Sequence, residues 1–166
     1  LDTHDSFGGS VASLGDLDGD GLADLAVGAS GDGDGGIARG AVYILFLNAD
    51  GSVKAETKIS STQGGLTGPL DDDDRFGVSV ASLGDLDDDG VADLAVGAEG
   101  DDDRGSDRGA VYILFLTTRG TVKDFQKISD TRGGFAAALD NSDRFGYGVS
   151  AAAIGDLDGD GVVDLA

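Results

Sequence analysis

The nine residues SVASLGDLD at positions 10–18 recur letter for letter at positions 79–87. Two further segments recur at the same offset of 69 residues: ADLAVGA at 23–29 and 92–98, and GAVYILFL at 40–47 and 109–116. A third copy opens at Leu139. Because a fixed period of this length is typical of repeat architectures, we predict two full units over 1–69 and 70–138, and a partial third over 139–166.

Each unit is predicted to contain four short strands, which in the first unit lie at 9–14, 25–29, 41–47 and 53–59. The third strand is apolar throughout, which predicts that both of its faces are covered. The fourth alternates apolar and polar residues, which predicts an outer strand with one face in water. The sequence therefore predicts an all-β fold of four-stranded antiparallel blades of the β-propeller type, with two full repeats and a partial third.

The composition favours loops over helices and excludes several classes of protein. All but two of the 32 acidic residues are Asp, and Gly occurs 30 times; both residue types favour turns and metal-binding loops. The net charge of −21 argues against nucleic acid and against an anionic membrane surface. No apolar run reaches the roughly 20 residues of a membrane-spanning helix, so no membrane insertion is expected. The absence of Cys excludes disulfides and thiolate metal sites.

One acidic pattern, DxDxDGxxD, occurs three times, at 16–24, 85–93 and 156–164. Carboxylates at positions 1, 3 and 5 converge only if the chain curls around a common centre, and the Gly at position 6 permits that bend. The carbonyl at position 7 and the Asp at position 9 can close the shell. Six or seven oxygen ligands of this kind suit Ca²⁺ better than Mg²⁺, which keeps more water, or Zn²⁺, which prefers His and Cys.

Two other interpretations fit the pattern less well. An EF-hand requires a bidentate Glu at position 12, where this chain has Val27 and Val96. A solvated acidic turn without a metal is the second alternative, and three copies with identical spacing count against it.

The chain resembles the FG-GAP repeat of integrin α-subunit β-propellers. The residues that carry the resemblance are Phe7-Gly8, the acidic loop, and Asp24-Leu25-Ala26-Val27-Gly28-Ala29, and the match repeats at Phe76-Gly77 and Phe145-Gly146. The family's Pro after Gly-Ala is replaced by Ser30 and Glu99. Family propellers usually have seven blades, which is more than 166 residues can form.

The resemblance implies one calcium ion per acidic loop, three in all. The implied ligands are the side chains of Asp16, Asp18, Asp20 and Asp24 with the carbonyl of Leu22; Asp85, Asp87, Asp89 and Asp93 with Val91; and Asp156, Asp158, Asp160 and Asp164 with Val162.

The resemblance also implies a calcium-stabilised structural or adhesion module, outside the cell or on its surface, with a protein or glycan partner. A subunit or segment of a self-assembling extracellular filament is the first alternative, since both ends of the sequence fall in the same part of the repeat and neighbouring repeats are expected to complete it. An accessory carbohydrate-binding propeller of a secreted hydrolase is the second.

The remaining conspicuous residues have simpler interpretations. The acidic stretches 31–36, 71–74 and 101–103 are expected to be solvated loops, and Arg75, Arg104, Arg108 and Arg144 to form local ion pairs with neighbouring acids. Phe7, Phe76 and Phe145 recur in register, which predicts packing between blades. His4 is the only His and lies in a short stretch before the first strand, so no enzyme activity is expected.

Overall fold

The computed structural model describes residues 1–149, together with the backbone of 153–155 and 164–165. The strands of the first sheet are β1 (Phe7–Gly15), β2 (Asp24–Ala29), β3 (Ala41–Leu47) and β4 (Val53–Ile59). Those of the second are β5 (Ser79–Gly84), β6 (Asp93–Ala98), β7 (Ala110–Leu116) and β8 (Val122–Ile128), and two short strands, β9 (Ala153–Gly155) and β10 (Asp164–Leu165), pair with each other. The described residues include no helix that is long and apolar enough to cross a membrane.

Both four-stranded sheets are antiparallel meanders in which neighbours in sequence are neighbours in space, in the orders β1-β2-β3-β4 and β5-β6-β7-β8. Their registers agree across the repeat, since Leu25 faces Leu45 in the first sheet and Leu94 faces Leu114 in the second. This is the architecture of propeller blades, and the predicted fold class is confirmed.

The two apolar third strands, β3 and β7, lie inside the sheets and are almost wholly buried, as their sequence predicts. The outer position of β4 and β8 is also as predicted. The expected division into an apolar inner face and a wet polar face is wrong in detail. Val53 is half exposed, whereas Lys127, on the supposedly wet face of β8, is buried.

The main core lies between the two sheets and centres on aromatic residues that precede or belong to the second sheet. Phe76 and Tyr112 are fully buried, and their rings meet edge to face with centroids 5.5 Å apart. Phe76 also forms a parallel bridge with Gly40 of the first repeat, so it links the blades as predicted. Phe7 makes the same edge-to-face contact with Tyr43 but is 42% exposed.

The two sheets meet at a close backbone contact formed by glycines. Gly77 belongs to the second repeat, where its amide donates to the carbonyl of Gly97 on β6 at 3.0 Å. From the first sheet, Ser10 Oγ on β1 donates to the carbonyl of Gly77 at 3.0 Å. A Cβ on Gly28 would overlap the carbonyl oxygen of Gly77. The contact recurs one repeat later at Ser79, Gly97 and Gly146. The repeated Phe-Gly and Gly-Ala pairs therefore mark the junctions between blades.

Candidate metal centre

The first two acidic loops connect the first and second strands of each sheet, directly after β1 and after β5. Each turns back at the predicted glycine, since Gly21 and Gly90 both have φ of +87°. Position 4 of the loop also has a positive φ, +82° at Gly19 and +59° at Asp88. An Asp tolerates this conformation better than most residues, so both loops adopt the same bend.

The carboxylate at position 1 organises the loop from its centre. In the first loop, Asp16 accepts hydrogen bonds from the amides of Gly19 and Gly21, both at 2.8 Å. In the second, Asp85 accepts from the amides of Asp89 at 3.0 Å and Gly90 at 2.7 Å. These bonds hold the exposed Asp side chains on the inside of the bend, which is the arrangement that a bound cation requires.

The Asp at position 9 is buried and ties the loop to the sheet. Asp24 accepts from the amides of Leu17 and Leu47, both at 3.1 Å, so one carboxylate joins the loop to the end of β3. Asp93 accepts in the same way from Leu86 at 2.9 Å and Leu116 at 3.1 Å. This structural role was missed at the level of sequence, because the pattern does not reveal which amides lie nearby.

Three carboxylates converge in each described loop, although not the same three. Oxygens of Asp16, Asp18 and Asp24 lie within 4.8 Å of one another in the first loop, and those of Asp85, Asp87 and Asp89 do so in the second. An all-oxygen cluster of this size fits the donor preference of Ca²⁺.

The remaining positions of the predicted shell are less close or not described. Asp20 is outside the first triplet and Asp93 outside the second. Leu22 and Val91 donate their amides to Asp20 and Asp89, both at 2.9 Å, and the roles of their carbonyls stay a prediction. The third loop, with Asp156, Asp158, Asp160 and Val162, lies outside the described residues, as does the side chain of Asp164.

A lysine from the outer strand reaches into each described loop, a contact that was not predicted from the sequence. Lys54 Nζ lies 2.9 Å from Asp18 Oδ2 and also contacts Asp20. Lys123 Nζ lies 2.8 Å from Asp87 Oδ2 and also contacts Asp89. Hydrogen bonds from these lysines lower the pKa of Asp20 and of Asp89. The available signal was the recurrence of both lysines 69 residues apart.

Two of the acidic stretches that were expected to be solvated loops instead form ion pairs with a lysine of the outer strand. Asp32 and Asp101 are each only 3% exposed. Lys58 Nζ lies 2.9 Å from Asp32 and 3.1 Å from Asp34, and Lys127 makes the same two contacts with Asp101 and Asp103. Burial opposes ionisation of Asp34, but hydrogen bonds from Ser60, Lys58 and other neighbours lower its pKa to about 2. The expectation was therefore wrong for these residues.

The third stretch, 71–74, is partly buried as well. Asp74 is 3% exposed and accepts from the amide of Asp71 at 2.7 Å. Burial raises the pKa of Asp74 to about 7. Asp72 remains exposed and pairs with Arg39 at 2.9 Å.

The arginine ion pairs form with acids distant in sequence, so the expectation of local pairs was also wrong. Arg75 lies 3.1 Å from Glu99, and Arg144, from the next repeat, lies 3.7 Å from the same carboxylate. Arg108 and Arg104 pair with Asp130, at 2.7 and 3.9 Å. Glu99, which stands where the family has Pro, is buried between the arginines of two successive repeats.

Comparison with known proteins identifies the repeat. The FG-GAP repeat family model matches residues 7–45 and 76–114, each of which spans three strands and one acidic loop. Integrin α-4 of Xenopus laevis is 30% identical over 162 residues, which is 97% of this chain and 14% of that protein. Integrin α-5 of Xenopus laevis is 37% identical over 164 residues, or 96% of this chain and 14% of that protein.

A relative of another kind is the phosphatidylinositol-glycan-specific phospholipase D of Bos taurus, 35% identical over 119 residues, 69% of this chain and 14% of that protein. The chain thus spans about a seventh of the length of these relatives. The repeats, the blade architecture and the integrin matches over almost the whole chain lead to one assignment. The chain belongs to the FG-GAP repeat family and resembles the integrin α-subunits.

Proposed function

We propose that this chain is a calcium-binding structural or adhesion module of the extracellular space or cell surface, without enzymatic activity, in which calcium makes the DxDxDGxxD loops rigid. The observation that carries the proposal is the convergence of three carboxylates in each described loop. Three carboxylates held this close repel one another unless a cation lies between them. The loops are exposed and all-oxygen, which suits the modest affinity of extracellular calcium modules.

The integrin relatives support the adhesion part of the proposal. Integrin α-4 and integrin α-5 of Xenopus laevis match over 97% and 96% of this chain, so the whole repeat pattern is shared with them rather than a single loop. The partner class that follows is an extracellular protein or glycan bound by loops at the surface of the blades. The three units 1–69, 70–138 and 139–166 are our proposed division, with one calcium ion in each.

Isothermal titration of the full chain with calcium tests the metal claim. We expect binding in the first and second loops, with magnesium binding much more weakly. Paired variants address each loop in turn: Asp16→Asn with Asp18→Asn in the first, Asp85→Asn with Asp87→Asn in the second. Each pair should remove one binding event and leave the others. Wild-type protein that neither releases nor absorbs heat with millimolar calcium at two temperatures would contradict the proposal.

Two alternatives each have one supporting observation. Self-association into a filament is favoured by the apolar surface of β1, where Phe7 and Val11 are exposed although their equivalents, Phe76 and Val80, are buried. A role as an accessory glycan-binding propeller of a secreted hydrolase is favoured by the similarity to a phospholipase D. Two experiments separate these alternatives. Fibres in electron micrographs of the purified chain would support the first. Discrete particles that are retained on a glycan array would support the second.

A further inference from the structure

The outer strand of each blade carries two lysines that bind acidic pairs at opposite ends of the blade. Lys54 and Lys58 are four residues apart on β4, so both side chains lie on one face of the strand. Lys54 reaches Asp18 and Asp20, and Lys58 reaches Asp32 and Asp34. The second blade repeats the arrangement with Lys123 and Lys127 on β8. Each acidic pair has the form Asp-x-Asp, so the two ends can be compared directly.

At one end the lysine is a permanent part of the structure. The Lys58 ammonium lies between Asp32 and Asp34 and 5.6 Å from the centre of the Tyr43 ring. Asp34 also accepts from the side chains of Ser60, Thr62 and Gln63 at 2.8–3.1 Å. Lys127 is buried in the equivalent cluster. The carboxylates here have their hydrogen-bond partners already, and no cation other than the ammonium is needed.

At the other end the lysine meets only part of the loop. Lys54 and Lys123 contact positions 3 and 5, whereas the carboxylates at positions 1 and 9 bind backbone amides. The side chains of Lys54 and Lys123 are 25% and 28% exposed. An ammonium in this position can leave for water without opening the fold.

The ammonium also uses the same groups that the proposed calcium would use. Asp18 belongs to the converging triplet of the first loop, and Asp87 and Asp89 belong to that of the second. A calcium ion and an ammonium held by the same carboxylates would lie a few ångströms apart, where like charges repel strongly. Occupation by lysine and occupation by calcium therefore exclude each other.

We propose that Lys54 and Lys123 are built-in counter-cations, which hold the acidic loops when calcium is absent and which calcium must displace. This inference rests on the proposed calcium binding and adds a regulator to it. The lysines stabilise the calcium-free loop and lower its calcium affinity, so they set the concentration at which the blades become calcium-bound. Lys58 and Lys127 have no such role, because the carboxylates around them already have their hydrogen-bond partners.

The test is a calcium titration of the full chain followed by NMR, using two amides as separate reporters. Gly21 donates to Asp16 and Gly90 to Asp85, so each amide signal reports on its own loop. In Lys54→Gln, we expect the Gly21 signal to report calcium binding about tenfold tighter, while the Gly90 signal titrates as in the wild type. Lys123→Gln should give the reverse pattern. Both variants should also unfold at lower temperature than the wild type in EGTA, because the calcium-free loop has lost its cation.

Two controls separate this mechanism from a general charge effect. Lys54→Arg keeps the charge at the loop and should stay close to the wild-type affinity. Arg132→Gln removes one positive charge from an exposed site and should leave both reporters unchanged. Wild-type calcium binding that is unchanged or weakened by Lys54→Gln and Lys123→Gln would overturn the inference and leave the calcium proposal standing. Failure of the wild type and of every variant to bind calcium would overturn both.

Discussion

At the scale of single residues, the Asp at position 9 has a different role from the other acids of the loop. Asp24 and Asp93 are fully buried, and each carboxylate accepts two backbone amides, one from the loop and one from the end of the third strand. The acids at positions 1, 3 and 5 are exposed. Position 9 thus ties the loop to the sheet whether or not a metal is bound. Positions 3 and 5 accept amides only from within the loop, as Asp20 does from Leu22 and Asp89 from Val91, and their other contacts are with the lysine.

This difference predicts that two substitutions in the second loop change the free energy of unfolding by very different amounts. Asp93→Ala should lower the free energy of unfolding by about 2–4 kcal/mol in EGTA, because the amides of Leu86 and Leu116 lose their acceptor. Asp87→Ala should change stability in EGTA by less than about 1 kcal/mol, since its ion pair is exposed. Urea denaturation measures both. An Asp93→Ala protein as stable as Asp87→Ala would contradict the assigned role.

Asp74 predicts a pH dependence of stability. Burial raises its pKa to about 7 in the folded chain, against an ordinary value near 3.8. Between these two values the folded state binds the proton more tightly than the unfolded state, so this group makes the protein less stable as pH rises from about 4 to about 7. At about 1.4 kcal/mol per pKa unit, the full effect is on the order of 4 kcal/mol.

Asp74→Asn provides the test, because an amide cannot ionise and can still accept from the amide of Asp71. Unfolding free energies should be measured in EGTA from pH 5 to pH 8 for both proteins. Relative to the wild type, the variant should gain stability as the pH rises. A constant difference across that range would show that Asp74 does not titrate as stated.

At the scale of strands, the junction between blades depends on glycines that leave no room for a side chain. Gly28 on β2 faces the carbonyl of Gly77, and a Cβ there would overlap it. Gly28→Ala should therefore cost about 1–3 kcal/mol, as overpacked cores generally do. Gly148→Ala is the matched control, because a Cβ at Gly148 has no neighbour within 4 Å among the residues that the structure describes. Thermal unfolding of the two variants compares them, and equal melting temperatures would count against a close junction.

Strand positions could be predicted from the sequence, but the partners of the charged residues could not. The apolar run Ala41–Leu47 fixes a buried strand by itself, and the structure has β3 with the same bounds. Which acids Lys58 contacts depends on which loop lies next to β4 and on how the sheet twists. The alternation of apolar and polar residues along one strand predicts neither of these. For the same reason the acids at 32 and 101 were expected in solvent and are buried.

At the scale of the whole molecule, the structure repeats with the same 69-residue period as the sequence, both in its sheets and in the junctions between them. The contact of Gly77 with the first blade returns as the contact of Gly146 with the second, with Ser10 and Ser79 donating to the respective carbonyls at 3.0 and 2.7 Å. Repeat proteins of this kind derive stability from each unit and from its contact with the next. Phe76 is buried and Phe7 is not, because Phe76 packs against a neighbouring blade. The sequence of a single repeat cannot predict this difference.

With a net charge of −21, folding brings many carboxylates together, and bound cations would offset their repulsion. The lysines of the outer strands neutralise part of the acid at each loop, and calcium would neutralise the rest. If a calcium ion binds only the folded loop, each occupied site adds about 2.7 kcal/mol at a hundredfold excess over its Kd. For a chain of this size that amounts to several degrees in Tm per site.

The most direct test of the calcium-binding account is therefore the melting temperature of the full chain in EGTA and in millimolar calcium. We predict that calcium raises Tm by roughly 10 °C or more, the sum expected for two or more occupied sites. In the protein that carries Asp85→Asn and Asp87→Asn, the rise should fall by about a third if three sites are occupied and by about half if two are. An identical Tm in EGTA and in calcium would contradict the account and identify the first two DxDxDGxxD loops as acidic turns that need no metal, with Lys54 and Lys123 as their counter-cations.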